Sequence, residues 1–448
     1  MERTSGEGEL AGDPSPPTDP VARSRELEDV SFGAVLEADG QPRILWATPD
    51  GLEFVGCGLA ARFVATGSDR FERIRADADD LFAAIDHDGP TVARPRAFGG
   101  FSFHDGHDPV APWTGFVSAS FVVPRVLVTR SDEGTWLTAI GDGADDADRA
   151  LERWRDRFDD LPAMRPSGSG PGIVSTDRTT TREEWTEGVE TALDAIGRGD
   201  LTKVVLAQSL AVTLAEPVDV PATLERLRRR YPNCYRFLVD HGAEGTFFGA
   251  PPERLVAKRG EHLETEALAG SVPRGETPRE DEELFRRMVD ESKFQREHGL
   301  VVEAIRDQLE PITSTLDVDE QTVRRLATIQ HLRTPIRATI GGNYGSNRHV
   351  LEFVEALHPT PAVGGVPPER AWETIRTTEP FDRGWYASPI GWFDAAGDGE
   401  FAVALRSGVA IDETVTLFAG NGIVADSDPD EEWDEVQLKF RPILDELR

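Results

Sequence analysis

Apolar positions along the chain follow two spacings, one typical of β-strands and one typical of helices. Short apolar runs between polar turns predict strands in the first third, as in FGAVLEA, RILWATP, TGFVSASFVVPRVLVTR and GTWLTAIGD. Helical spacing occurs there near residues 70–87 and 145–158. We expect residues 25–165 to form an N-terminal β-rich part of the fold. Residues 1–24 are rich in Gly, Pro, Ser and acidic side chains, which predicts a disordered acidic tail.

The segment RPSGSGPG at 165–172 is rich in Gly, Pro and Ser and predicts a boundary. Residues 180–448 form the predicted core. Thr181 and Glu184 make a T-x-x-E capping box that opens its first helix. Further predicted helices cover 221–230, 279–309, 318–325, 349–357, 367–377 and 428–440. Predicted strands cover 201–208, 234–240, 245–249, 254–258, 327–332, 389–395, 400–412 and 414–421. Short Gly/Asp turns join the last strands, which indicates an α+β fold with an antiparallel sheet.

Composition excludes several classes of function. The chain has 81 acidic and 48 basic residues and a net charge of −33, which argues against binding a nucleic-acid duplex. We interpret this acidity as a solvated coat suited to a high-salt, halophilic cytoplasm. Two cysteines make no disulfide framework, and no apolar run or signal peptide indicates a membrane or secretion. A soluble cytoplasmic protein without a membrane partner is expected.

Lysine is rare in this chain, and one lysine occupies an unexpected place. Lys203 lies within the apolar strand LTKVVLAQSL, whereas arginine supplies most of the other cations. A strand-end lysine that reaches solvent is the ordinary explanation. Burial, however, makes a lysine usable as a general base, and arginine cannot take that role. Lys203 is therefore a candidate catalytic residue.

Two helical segments carry further candidate charges. Lys293 and Glu297 lie one turn apart, which alone is typical of a surface ion pair. In the last helix Glu432, Glu435 and Lys439 fall within an arc of about 60° beside the inward face. A solvated acidic helix end is one interpretation of these carboxylates. The other is a site for Mg²⁺, which takes one or two carboxylates plus waters and substrate oxygens.

Glycine-rich segments are candidate anion-binding loops, because small residues let backbone amides approach a ligand. They are LAGSVPRG at 268–275, LHPTPAVGGVP at 357–367 and FAGNGIV at 418–424. Each is a weak signal by itself, since glycine turns are common.

Taken in order, the motifs of residues 180–448 resemble the chorismate-utilising enzymes. The blocks are KVVLAQS, FGAPPERL, LAGSVPRG, KFQREH, IQHLRTPI, LHPTPAVGGVP, EPFDRGWYASPIGW, VALRS, FAGNGIV and EEWDEVQLK. That family includes anthranilate synthase component I, aminodeoxychorismate synthase, salicylate synthase and isochorismate synthase. The resemblance implies an anthranilate synthase component I-like fold, a large antiparallel sheet flanked by helices. Chorismate is the implied substrate, and isochorismate synthases are the most similar members.

The resemblance implies an Mg²⁺-dependent exchange in which water attacks C2 of chorismate and the C4 hydroxyl leaves. Lys203 matches the lysine that activates the water, and Glu253 matches the acid that protonates the leaving hydroxyl. Glu297 and Glu435 match the Mg²⁺ carboxylates, with Glu432 acting through a water. One base and one acid would then act across a flat ring.

The resemblance also implies a set of substrate-binding residues. The groups that match carboxylate binders are Arg406 and Lys439, helped by amides around Gly270, Ser271, Gly420 and Gly422. The positions that match the pocket wall and the loop near the leaving group are His331, Tyr386, Thr360 and Ala362. This sequence departs from the usual family pattern at Pro252, Phe294 and Gln295, none of which removes a required chemical group.

Three alternatives remain open from sequence. Salicylate synthases carry the same lysine and acid and then eliminate pyruvate. Amine-using synthases of the anthranilate or aminodeoxychorismate type typically carry glutamine where this chain has Lys203. A non-catalytic chorismate-binding protein is the third. With water as nucleophile, no glutamine amidotransferase subunit is expected, and menaquinone biosynthesis is favoured over a siderophore route.

Overall fold

The structure is a computed structural model of the 448-residue chain. It describes residues 16–28, 30–37, 40–160, 168–326, 329–341 and 348–448. Five sequence predictions therefore fall partly outside the described residues. They are the tail over 1–15, the N-terminal part over 29, 38–39 and 161–165, the boundary segment over 165–167, a strand over 327–328 and the core over 327–328 and 342–347.

The strands of the described part carry most of the fold. They are β1 Pro20–Leu27, β2 Arg43–Ala47, β3 Glu53–Ala65, β4 Asp86–Asp88, β5 Arg96–Phe101, β6 Ala119–Ser131, β7 Gly134–Asp142, β8 Ile173–Arg178, β9 Lys203–Leu214, β10 Arg236–Asp240, β11 Thr246–Gly249, β12 Arg254–Arg259, β13 His262–Pro273, β14 Thr315–Val318, β15 Thr322–Arg325, β16 Ile329–Thr339, β17 Gly365–Val366, β18 Pro389–Asp394, β19 Gly399–Val403, β20 Ser407–Ile411 and β21 Thr414–Ile423.

Helices flank these strands. They are α1 Phe32–Glu37, α2 Arg70–Ala84, α3 Ala144–Asp160, α4 Arg182–Gly197, α5 Val220–Arg230, α6 Pro278–Asp290, α7 Ser292–Leu309, α8 Val350–Leu357, α9 Pro368–Thr378 and α10 Pro429–Leu444. Within the described ranges, no helix combines the length and the apolar character needed to cross a bilayer.

All of the described strands belong to one hydrogen-bonded sheet. Its ladders are antiparallel, and among the described pairings only β1 with β4 is parallel. The predicted α+β class, a large antiparallel sheet flanked by helices, is therefore confirmed. The N-terminal strands are part of the same sheet, because β2 pairs with β10 and β5 pairs with β18.

Side-chain caps mark where two helices begin, α4 and the helix α10 that carries Glu432, Glu435 and Lys439. The Thr181 side chain accepts a hydrogen bond from the Glu184 amide, and the Glu184 carboxylate accepts one from the Thr181 amide, as the capping box predicts. Asp428 caps α10 by accepting hydrogen bonds from the Asp430 and Glu431 amides. Each cap satisfies amides that have no partner inside the helix.

Two predicted elements have the wrong type. FGAVLEA, predicted as a strand, is the short helix α1, because a continuous buried run such as 34–36 does not distinguish strand from helix. Residues 318–325, predicted as a helix, contain the end of β14, a short connection and β15, and both strands pair with β16. Pairing with a distant strand therefore overrides local helix preference here.

Other predictions have the right type but the wrong extent. The helix predicted at 279–309 is interrupted at Glu291, whose extended backbone separates α6 from α7. The strand predicted at 400–412 is divided into β19 and β20 at Arg406, which has a φ of 48°. Positions 20–24 of the predicted tail form part of β1, because Val21 and Ala22 are buried where β1 pairs with β7.

Aromatic rings connect the centre of the core to the sheet that carries the site. Trp113 stacks on Phe418 with ring centroids 5.1 Å apart, and Phe418 stacks on Tyr386 at 5.4 Å. Trp385 packs edge-on against Phe116 at 5.3 Å. Such contacts make the 385–386 segment a rigid part of the core.

One edge of β9 is completed by side chains instead of by another strand. β17 pairs with β9 at residues 203–204 and β8 pairs with it at 210–214, which leaves the middle of the edge open. There the Glu379 carboxylate accepts from the Ala207 amide at 2.8 Å, and Arg383 donates to the Val205 carbonyl at 2.7 Å. The two side chains form an ion pair with exposed fractions of 2% and 3%.

Replacing Glu379 by Ala is expected to destabilise the fold by about 3–5 kcal/mol, because it leaves the Arg383 charge buried without a partner. Urea denaturation measures this. The control is Glu373→Ala, which breaks the exposed Arg370–Glu373 pair and is expected to cost less than about 1 kcal/mol. A Glu379→Ala variant as stable as this control would contradict the prediction.

Candidate active site

One pocket gathers nearly all of the predicted site residues. It has a volume of about 120 Å³ and is walled by strands β9, β13, β16 and β21 and by residues of α7 and α10. The predicted residues in its wall are Lys203, Glu253, Gly270, Ser271, Glu297, His331, Ala362, Tyr386, Arg406, Gly420, Gly422 and Lys439. The predicted residues outside its wall are Thr360, Glu432 and Glu435.

Lys203 does not reach solvent. It is the first residue of β9, its side chain is 2% exposed, and Nζ donates to Glu297 Oε1 at 3.0 Å. Glu297 is carried by α7, so the ion pair joins this helix to β9. This pairing of Glu297 with Lys203 was not predicted from the sequence. A buried ammonium requires such a partner.

Glu253 lies in the pocket wall immediately before β12 and is buried. Burial, reinforced by the negative charge of Glu266, raises the pKa of Glu253 to about 8, although Lys203 and Arg324 act in the opposite direction. The carboxyl is therefore mostly protonated at neutral pH. A protonated carboxyl is the form that a general acid needs.

Two of the three predicted glycine-rich loops, at 268–275 and 418–424, lie mostly in strands β13 and β21, whereas most of the segment at 357–367 is a loop. Gly270 lies in β13 at a bulge and has a φ of 70°, a conformation that favours glycine. Gly422 lies in β21, where an added Cβ would be 2.7 Å from Lys203 Cε. The side chain of Lys203 therefore occupies the space that a larger residue at position 422 would need.

Arg406 is held in an uncommon backbone conformation between β19 and β20. Its φ of 48° lies in the left-handed region, which costs a non-glycine residue conformational energy. Its Nη1 donates to the Cys234 thiol at 3.7 Å, and its guanidinium lies 5.9 Å from the Tyr231 ring centroid. The guanidinium reaches the pocket and has the geometry to bind a carboxylate.

His331 and Tyr386 both remain neutral near pH 7. Burial, together with the positive charges of Arg406, Lys439 and Arg324, holds the pKa of His331 well below its usual value. Burial also raises the pKa of the Tyr386 hydroxyl. Neither side chain therefore adds charge to the pocket.

Lys439 and Glu435 form a second ion pair on the α10 side. Lys439 Nζ lies 3.0 Å from Glu435 Oε1 and donates to Asn421 Oδ1 at 2.7 Å and to the Gly420 carbonyl at 3.1 Å. Ser271 Oγ donates to Glu435 at 3.0 Å. Although burial opposes ionisation, these partners hold the pKa of Glu435 below its usual value.

Glu432 is the most buried of the three predicted metal ligands. The Asn421 side-chain amide donates to it, and burial together with the charge of Glu435 raises its pKa to about 7. Asn421 therefore connects Glu432 to Lys439. No role was predicted for Asn421 from the sequence, although it lies between Gly420 and Gly422, which were predicted to bind substrate.

Among the residues that the structure describes, no three His, Cys, Asp or Glu side chains converge into a metal cage. The donor chemistry nevertheless fits Mg²⁺. Burial, together with the nearby negative charge of Glu435, raises the pKa of Glu432, and a divalent cation would offset this repulsion. Mg²⁺ is commonly bound by one or two carboxylates, with waters and substrate supplying the other oxygens.

The loop between α8 and β17 contains Thr360 and Ala362. Ala362 reaches the pocket wall, whereas Thr360 is buried behind it and its hydroxyl has no hydrogen-bond partner within the described ranges. The apolar part of the wall was not predicted from sequence. It consists of Val205, Leu268, Ala269, Ile329, Val363, Ala387, Leu405, Phe418 and Ala419.

Comparison with known proteins gives one consistent result. Residues 19–448 match the family described as chorismate binding enzyme. The salicylate biosynthesis isochorismate synthase of Pseudomonas aeruginosa is 37% identical, with 95% of this chain and 90% of that protein covered. The isochorismate synthase MenF of Bacillus subtilis is 33% identical, with coverages of 95% and 93%.

A solved structure shows the same likeness. MenF, the menaquinone-specific isochorismate synthase from Escherichia coli, superposes with a TM-score of 0.79 and is 29% identical. The match covers 97% of this chain and 96% of that chain. It includes the N-terminal strands as well as the segments that line the pocket.

Gly422→Ala is expected to lower turnover of chorismate by about tenfold or more, because the new Cβ displaces the Lys203 side chain. The control is Gly188→Ala in α4, where the nearest atoms to an added Cβ are 3.7 Å and 3.9 Å away. Steady-state kinetics should show normal turnover for this control. Equal turnover in both variants would contradict the predicted contact.

Proposed function

The chain belongs to the chorismate binding enzymes, and we propose that within this family it is an isochorismate synthase, an isomerase that converts chorismate to isochorismate. The family that the sequence motifs predicted is thereby confirmed. The observation that carries the proposed chemistry is that Lys203 and Glu253 share one pocket. Glu253 stays protonated near neutral pH, and the charge of Lys203 acts on it from β9.

In the proposed reaction, water attacks C2 of the ring while the C4 hydroxyl departs. Lys203 in its amine form accepts a proton from the attacking water. Glu253 donates its proton to the departing hydroxyl, which leaves as water. The reaction consumes one water and releases one, so no ammonia-supplying subunit is needed. A base and an acid that both act on the ring also limit it to one productive orientation.

The cationic wall fits the two carboxylates of the substrate. Arg406 offers a planar guanidinium that can bind one carboxylate through two hydrogen bonds, and Lys439 offers a point charge for the other carboxylate. The amides around Gly270 and Gly420 add donors close to the same wall. The neutral His331 can hydrogen-bond to the substrate without adding charge.

We propose that Glu297 and Glu435 hold Mg²⁺, with Glu432 acting through a water. When bound there, Mg²⁺ would supply positive charge for the ring carboxylate and hold the substrate in register. In this structure Lys203 pairs with Glu297 and Lys439 pairs with Glu435. We further propose that the product serves menaquinone biosynthesis, as the likeness to MenF proteins suggests.

The direct test is product analysis after incubation of the protein with chorismate and Mg²⁺. Isochorismate is expected, with no dependence on ammonia and no release of pyruvate. Pyruvate without ammonia would instead indicate salicylate synthesis, and dependence on ammonia would indicate an amine-using synthase. Failure to convert chorismate under any of these conditions would indicate a binding protein.

Lys203→Ala is expected to lower turnover by at least about 100-fold, because it removes the base. Lys258→Ala is the matched control, since Lys258 is also a buried lysine and lies 2.7 Å from Asp398, outside the pocket. Turnover per folded molecule should survive in the control. Retained turnover in Lys203→Ala would refute its role as base.

The pH dependence of kcat/KM is expected to report the acid. Because Glu253 must be protonated to donate, activity should fall as pH rises through its pKa of about 8. Glu253→Gln should abolish most turnover and remove this alkaline limb. An unchanged limb in Glu253→Gln would assign it to another group.

A further inference from the structure

The chain just before Glu253 is held in an unusual way. Pro251 and Pro252 have no N–H, so neither residue can donate a backbone hydrogen bond to anchor this segment. Their carbonyls are the anchors. The Tyr235 amide donates to the Pro251 carbonyl at 2.8 Å, and Arg324 Nη1 donates to the Pro252 carbonyl at 2.6 Å.

Arg324 is in turn held by Glu266. Nη1 of Arg324 also donates to Glu266 Oε1 at 2.6 Å, and Nη2 donates to Oε2 at 3.3 Å. Glu266 is presented by β13 with a side chain 4% exposed, and its Oε2 accepts a further hydrogen bond from Arg333 Nε at 2.5 Å. Both oxygens of a buried carboxylate are therefore occupied, which fixes the orientation of the Arg324 guanidinium.

We propose that Glu266 is a positioning residue for the reaction: through Arg324 it fixes the Pro252 carbonyl and thereby directs Glu253 into the pocket. This inference rests on the proposed function, since it takes Glu253 as the acid. The Glu253 carbonyl itself accepts a hydrogen bond from the Val403 amide at 3.1 Å, so Arg324 acts on the peptide group that precedes the acid. No other described side chain donates a hydrogen bond to the Pro252 carbonyl.

The same groups act on Glu253 through their charges. The charged residues that face it are Glu266 from β13, Arg324 from β15 and Lys203 from β9. His331 and Arg406 share the pocket wall, and His331 is neutral. The negative charge of Glu266 favours the protonated form of Glu253, whereas the positive charges of Lys203 and Arg324 oppose it.

This arrangement gives two variants with opposite pH effects. Glu266→Gln is expected to lower kcat by about 10- to 100-fold with KM changed less than about threefold, because misdirection of the acid affects the transition state more than binding. It should also move the alkaline limb to lower pH. Arg324→Gln should lower kcat as well, but should move the limb to higher pH, since it removes a positive charge.

Glu264→Gln is the matched control. Glu264 lies two residues earlier on β13 and pairs with Arg254 at 2.7 Å, but its side chain is 53% exposed and makes no contact with Pro252 in the described structure. Its kcat and pH profile should match the wild type. Glu266→Asp, which keeps the charge, should keep the alkaline limb near its wild-type position even if kcat falls.

The outcomes separate this inference from the proposed function. If the wild type forms isochorismate but Glu266→Gln keeps its kcat and its pH limb, the positioning role is overturned. A lowered unfolding temperature with unchanged kcat would overturn it equally, since it would show a structural role only. Limb shifts in the same direction for Glu266→Gln and Arg324→Gln would also overturn it. A wild type that forms no isochorismate contradicts the proposed function instead.

Discussion

The site depends on one constraint, the burial of the Lys203 ammonium at the start of a central strand. An ammonium that is 2% exposed must have a counter-charge, because an unpaired buried charge would shed its proton or unfold its surroundings. α7 therefore places Glu297 at 3.0 Å, and β21 provides a glycine where any side chain would collide with the lysine. Both α7 and β21 therefore carry a residue that accommodates the buried Lys203 side chain.

Ion pairs between buried or partly buried side chains recur in two other places, one at the pocket and one away from it. Lys439 pairs with Glu435 on α10, and Arg383 pairs with Glu379 at the open edge of β9. The first pair carries charges that a substrate and a metal can use, since it borders the pocket. The second pair takes the place of a strand at the middle of the β9 edge, where its groups bind backbone atoms as well as each other. Burial of opposite charges serves chemistry in one place and sheet closure in the other.

Much of this was predictable from sequence because it is local. The capping box at Thr181, the helix start at Asp428 and the shared face of Glu432 and Lys439 depend only on spacing. Features set by distant pairing were not predictable. Val318 and residues 322–325 form strands because they pair with β16. Glu297 pairs with Lys203, which is almost a hundred residues away in the sequence. The contacts of Arg324 with Glu266 and Pro252 were not predictable for the same reason, because residues 318–325 were predicted as a helix.

Net charge and site charge have different roles in this protein. The chain carries −33 overall, yet its proposed substrate has two carboxylates. Salt screens the acidic coat beyond about 8 Å at physiological ionic strength, so groups in the pocket wall decide whether such an anion binds. Lys203, Lys439 and Arg406 supply attraction there, and an ionised Glu253 would cancel part of it. Because burial and Glu266 keep Glu253 protonated near neutral pH, its proton removes a repulsion toward such an anion, and in the proposed reaction the same proton goes to the leaving hydroxyl.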